Sequence, residues 1–164
     1  MGTDESGPVS IEGKARYHAE KWYEVPEYSE VVYQYANGVK MICAMKLKGG
    51  TTFEGDRGTI HVDRKKIDVK PAEILSEKLG DDAVRLYVSK NHHANWVECV
   101  KSRKAPICDV EVGHRSATVC HLGNIAIRTG QKLTWDPEKE AIVGDEEAAR
   151  MLSRPYRAPW RLPS

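Results

Sequence analysis

Two imidazoles, an amide and a guanidinium are the groups in this chain best spaced to act together: His114, His121, Asn124 and Arg128. Their spacings of seven, three and four stack them along one face of a helix. The opposite flanks carry Ala117, Val119, Cys120, Leu122, Ala126 and Ile127, small to medium apolar groups suited to close packing. A helix with a buried body and such a polar stripe can line a cleft for a hydroxylated ligand; facing another domain or water is the other use of the stripe. Seven residues is about 10 Å of rise, too far for His114 and His121 to share one metal ion. Cys120 points to another face, so no metal site is expected. Neither a G-x-G-x-x-G turn nor a P-loop occurs, and Gly55-x-x-Gly58 falls in a hairpin turn rather than between strand and helix. A G-x-S-x-G nucleophile elbow is absent too. The chain by itself offers no dinucleotide site and no nucleophile–base pair.

The positioning elements follow from patterning. After about 28 irregular residues, with a short extended piece at Val9 to Glu12 that Gly13 breaks, Val31, Tyr33 and Tyr35 alternate on one face of a strand. Asn37-Gly38 predicts a tight type I′ turn, and Val39, Met41, Cys43, Met45 and Leu47 alternate on the returning strand. Short strands at Thr51 to Glu54, Thr59 to Asp63 and Ile67 to Lys70 then read as an antiparallel meander closed by Pro71. Asn91 or Ser89 caps a helix that carries His92 and His93 at its start and runs to about Lys104. The His114 helix spans about Gly113 to Arg128 and ends at Gly130. A short helix is expected near Glu146 to Ser153, before a proline-punctuated tail. The fold class is α+β: an open, mainly antiparallel β-sheet with helices packed on one face.

The chain has 164 residues, one domain's worth, with 30% charged and 40% hydrophobic side chains. A net charge of +1 makes no field for a polyanion, so nucleic acid is not an expected partner. No apolar run approaches the ~18 residues of a membrane span. The four cysteines form no C-x-x-C pair and read as reduced, mostly buried thiols of a cytoplasmic protein.

The segment GHRSATVCHLGNIA, Gly113 to Ala126, resembles the carboxy-terminal domain of a bacterial branch of the Gfo/Idh/MocA oxidoreductases, relatives of glucose–fructose oxidoreductase and inositol dehydrogenase. GTDESGPV, FEGDRGTIHVDR, NHHANWVECVKSRKAPICDVEVGH and WDPEKE…GDEEA…LSRPYRAPW match in the same order, so the resemblance covers nearly the whole chain. It implies an amino-terminal Rossmann domain that binds NAD(P), followed by this α/β domain for substrate binding and oligomer contacts. It further implies that the family's proton-transfer residues precede the GTDESGPV loop, leaving no catalytic position here and no cofactor expected on this chain alone. The reaction implied for the intact enzyme is hydride transfer from the carbinol carbon of a sugar, cyclitol or related polyol. This domain would be the wall that orients that polyol. Helix geometry, not carry-over, selects His114, His121 and Asn124 as its hydrogen-bonding groups, with His92 and Arg115 next. Self-association is expected through the sheet face bearing Val31, Tyr33 and Tyr35 or Met41, Cys43 and Met45. The alternative is a stand-alone, non-catalytic binding or scaffold module without its nucleotide-binding partner.

Overall fold

The computed structural model describes residues 3–161. In chain order the strands are β1 (Pro8–Arg16), β2 (Tyr28–Tyr35), β3 (Lys40–Ala44), β4 (Thr51–Gly55), β5 (Gly58–Val62), β6 (Ile67–Lys70), β7 (Leu133–Asp136) and β8 (Ala141–Val143). The helices are α1 (His92–Ser102), α2 (Val110–Thr129) and α3 (Glu146–Arg150), with a 3-10 turn at Ala72–Ser76. The chain divides into two compact units. One joins the residues up to Lys46 to those from Lys104 onward; the other is Leu47–Arg103.

The first unit is a five-stranded antiparallel sheet in the order β3-β2-β1-β7-β8, with α2 and α3 packed against it. Register fixes which side chains meet the helices, because directly opposed residues share a face. Ile11 lies between Tyr33 and Leu133, and Trp135 opposes Ile142. These residues, with Val31, Tyr35, Leu122, Ile125, Ala126 and Ala148, form the core. Ile11, Leu122 and Leu133 are almost fully enclosed, each contributing roughly 1.5–3 kcal/mol of burial. The same register revises the surface expected for self-association. Val31 opposes Cys43 and Tyr33 opposes Met41, so both stripes point to the helix side. Val31, Tyr33 and Tyr35 are spent in the core, whereas Cys43 and Met45 stay exposed, and none of the four cysteines is buried, contrary to expectation. The other face carries Glu12, Lys14, Glu30, Val32, Gln34, Lys40 and Ile42, amphipathic rather than apolar.

Two glycines explain how closely α2 can lie on this sheet. β1 does not stop at Gly13, as expected, but runs on to Arg16. A Cβ at Gly13 would fall 2.9 Å from the backbone nitrogen of Ile127, so glycine here permits strand–helix approach instead of marking a break. Gly123 is the counterpart on the helix, where a Cβ would collide with the hydroxyl of Tyr33. The β2–β3 turn also differs from the type I′ expectation. Gly38 is left-handed (φ 86°) but Asn37 is not. The Gly38 N–H donates to Tyr35 O at 3.0 Å and the Tyr35 N–H to Val39 O at 2.9 Å, a type I turn followed by a left-handed glycine. Asn37 instead uses Oδ1 to accept from the Val39 N–H at 3.1 Å.

The second unit holds the antiparallel sheet β4-β5-β6, the 3-10 turn and α1. The expected three-strand meander is this sheet, separate from the β2–β3 hairpin of the first unit. Asn91 caps α1 by accepting from the Ala94 N–H at 3.0 Å.

Candidate functional site

Helix α2 begins at Val110, three residues earlier than its apolar pattern alone suggests, because Asp109 supplies a cap: its carboxylate accepts from the Glu111 N–H at 2.9 Å. At the far end Gly130 (φ 64°) closes the helix with its N–H on Ala126 O at 3.0 Å. The helix is therefore defined at both ends. Leu122, Gly123, Ile125 and Ala126 face the sheet. His121, Asn124 and Arg128 are exposed. Of the flank expected to pack, Leu122 and Ala126 are buried, Val119 and Ile127 are partly buried against the core, and Ala117 and Cys120 are exposed. Ile125 and Gly123 take the places those two were expected to fill.

His114 and Arg115 are brought together by a residue that the sequence did not single out. Glu140, at φ 50° in the turn between β7 and β8, places Oε1 2.7 Å from His114 Nε2 and 3.3 Å from Arg115 Nη1. Arg115 also donates from Nε to Glu111 at 2.8 Å and from Nη1 to the Pro137 carbonyl at 2.6 Å. Its side chain is only 19% exposed, and its donors are largely occupied in tying α2 to the turn. Asp136 shapes that turn by accepting from the Glu138 and Lys139 N–H groups, both at 3.0 Å. The Lys139 N–H, then the Lys139 ammonium at 3.2 Å, hold the Asp136 carboxyl below its ordinary range. The only sequence signal for this cluster was the turn-forming Asp136-Pro137; nothing in it foretold that Glu140 would reach α2.

The pairing has a chemical consequence for His114. A carboxylate only accepts, so Nε2 carries the proton in this contact, and a neutral ring then presents Nδ1 as a lone pair. Nδ1 has no partner among the described residues. His114, half exposed, is thus an oriented hydrogen-bond acceptor, while His121 and Asn124 add donors and acceptors along the same helix. His92 belongs to the other unit, at the first residue of α1, with its ring 4.1 Å from that of His93. Among the described residues no group of three or more His, Cys, Asp or Glu side chains is placed to hold a metal ion. Two of the three described helix starts carry acidic residues, which disfavour a phosphate there. Those of α1, α2 and α3 are capped by Asn91, Asp109 and Asp145, and the last two are followed by Glu111 and by Glu146 and Glu147.

An antiparallel sheet covered on one side by a doubly capped helix, with a second antiparallel sheet in the other unit, gives an α+β fold. Residues 1–162 match the oxidoreductase family, C-terminal alpha/beta domain, of the Gfo/Idh/MocA group, and the chain belongs to that family. Its fold is similar to a solved NAD-binding protein from Listeria innocua, with a TM-score of 0.52 and 12% identity. That likeness covers 79% of this chain but 42% of the other, so the chain spans less than half the length of the solved structure. No curated protein matches the chain in sequence. No described helix is long and apolar enough to cross a membrane.

Proposed function

We propose that this chain is the substrate-side domain of an NAD(P)-dependent oxidoreductase acting on a hydroxyl of a sugar, cyclitol or related polyol. The observation that carries the reading is the match of residues 1–162 to the carboxy-terminal domain of an oxidoreductase family. The likeness to part of a larger NAD-binding protein supports it. With capped, acidic helix starts and no glycine-rich strand–helix turn, the residues here do not fit the dinucleotide, which falls to a Rossmann domain as partner. What remains for this domain is to bind and orient. His114 accepts a substrate hydroxyl proton at Nδ1 while Glu140 holds the ring, and His121 and Asn124 hydrogen-bond neighbouring hydroxyls. Arg115 positions the helix. The protein is cytoplasmic, its 164 residues serving as one functional domain. It self-associates through the amphipathic face of the five-stranded sheet. The test joins the chain to its nucleotide-binding domain and follows NAD(P) reduction with a panel of polyols. Turnover with a polyol is expected, and NADH should not bind the isolated chain. Tight NADH binding to this chain alone overturns the assignment, and ligand binding without turnover returns the scaffold alternative.

A further inference from the structure

The Leu47–Arg103 unit holds an open cup of about 700 Å³ whose lining includes Lys48, Thr52, Thr59, His61, Asp68 and Lys70. Register puts these groups together. Thr52 opposes His61, His61 opposes Asp68, and Thr59 opposes Lys70, so one face of β4-β5-β6 gathers them. His61 is the unusual member. It is 7% exposed in a sheet whose β4 strand is exposed throughout. Its Nδ1 shares a 2.8 Å hydrogen bond with Thr52 Oγ1, and its Nε2, shielded from bulk water, has no hydrogen-bond partner among the described residues. Buried polar atoms are nearly always satisfied, so an orphan imidazole nitrogen in the lining of a cup calls for a group the chain does not supply. The ring is also fixed in place. Gly50, at φ 105°, lays its backbone beside it, and a Cβ there would fall 3.1 Å from His61 Cε1.

Charge then selects the class of occupant. Asp68, the one carboxylate of the lining, is already engaged by Lys66 at 2.9 Å and Lys48 at 3.4 Å. Lys70 makes no ion pair and Thr59 no side-chain hydrogen bond among the described residues. An ammonium, a hydroxyl and an imidazole nitrogen thus remain uncommitted around a lining whose one carboxylate is neutralised, with Glu54 opposite Thr59 outside that lining. When the Thr52 hydroxyl donates to Nδ1, His61 presents Nε2–H, and all three groups are donors. Donors without acceptors suit the oxygens of an anion. We propose that this cup binds a small oxyanion-bearing metabolite, its phosphate or carboxylate held by Lys70, Thr59 and His61. The assignment does not depend on the role given to α2.

The test is a titration of the intact chain, following the histidine ring carbons by NMR at constant ionic strength. The ligands are inorganic phosphate, gluconate and, as an uncharged control, myo-inositol. A saturable shift at the His61 ring is expected from phosphate, gluconate or both, and the tighter of the two names the source of the oxyanion. Lys70→Met should weaken that binding about tenfold, the scale of one charge-assisted hydrogen bond. Lys90→Met, on a lysine outside the cup, should leave it unchanged. Lys70 is exposed, so its variant keeps the test valid even if His61→Gln, used to assign the ring signal, does not fold. The proposal is overturned if neither anion gives a saturable shift at His61, if Lys70→Met binds as tightly as the parent, or if inositol binds as well as the anions.

Discussion

Gly123→Ala places a methyl group against the hydroxyl of Tyr33, a β2 side chain only 4% exposed that meets α2. Overpacking of this kind costs roughly 1–3 kcal/mol, while alanine gains about 1 kcal/mol over glycine inside a helix. The clash wins, because Tyr33 is enclosed in the core and its hydroxyl cannot swing out to solvent without moving the ring. At the upper end of that range the net loss is about 2 kcal/mol, a drop of roughly 4–8 °C in Tm for a domain of this size. Tyr33→Phe removes the obstructing oxygen. The next neighbours of the new methyl are then Tyr33 Cζ at 3.2 Å and Val31 Cγ1 at 3.5 Å, close contacts that small adjustments relieve. The double variant should therefore be at least as stable as Tyr33→Phe alone. Urea unfolding of the parent, both single variants and the double variant measures the coupling directly. A Gly123→Ala protein as stable as the parent, or an equal loss in the Tyr33→Phe background, refutes the packing argument.

Arg115→Met keeps the aliphatic stem but removes the links to Glu111, Pro137 and Glu140, and should lower stability by about 1–2 kcal/mol in urea unfolding. An unchanged midpoint would show that the clamp contributes nothing. Asp136 makes a pH prediction. Its folded-state pKa lies below the ordinary 3.8, so its contribution is fully present above that value and lost as pH falls through the folded one. Thermal unfolding at about pH 6 and about pH 3 should show a smaller acid-induced drop for Asp136→Asn than for the parent. Equal drops would mean that the turn does not depend on the carboxylate.

What the chain disclosed in advance divides along physical lines. Strands bounded by turn residues were legible: β4, β5 and β6 fall within a residue of their patterns, while the β2–β3 hairpin needed its turn type revised and its returning strand cut from Leu47 to Ala44. The end of α2 was legible as well, since Gly130 has a local conformational reason to be there. Non-local effects were hidden. Gly13 looks like a strand breaker until Ile127 lies across it. β7 and β8 are only four and three residues long and gain their place by pairing with β1 and with each other. At the candidate site the spacing of His114, His121 and Asn124 placed them on one helix. Glu140, 26 residues beyond His114, joined them only through the fold. Nothing local marks His61 as buried, and the backbone of Gly50, eleven residues earlier, lies beside its ring.

The role of α2 is tested most directly by the kcat/KM of His114→Ala in the complete two-domain oxidoreductase, with Tm and NAD(P) affinity measured on the same protein. A side chain that accepts a substrate hydroxyl should cost about tenfold or more in kcat/KM when removed, with Tm and nucleotide binding nearly unchanged. Glu140→Gln, which loosens the ring without deleting it, should fall between His114→Ala and the parent. Kinetics of His114→Ala equal to those of the parent would contradict the account.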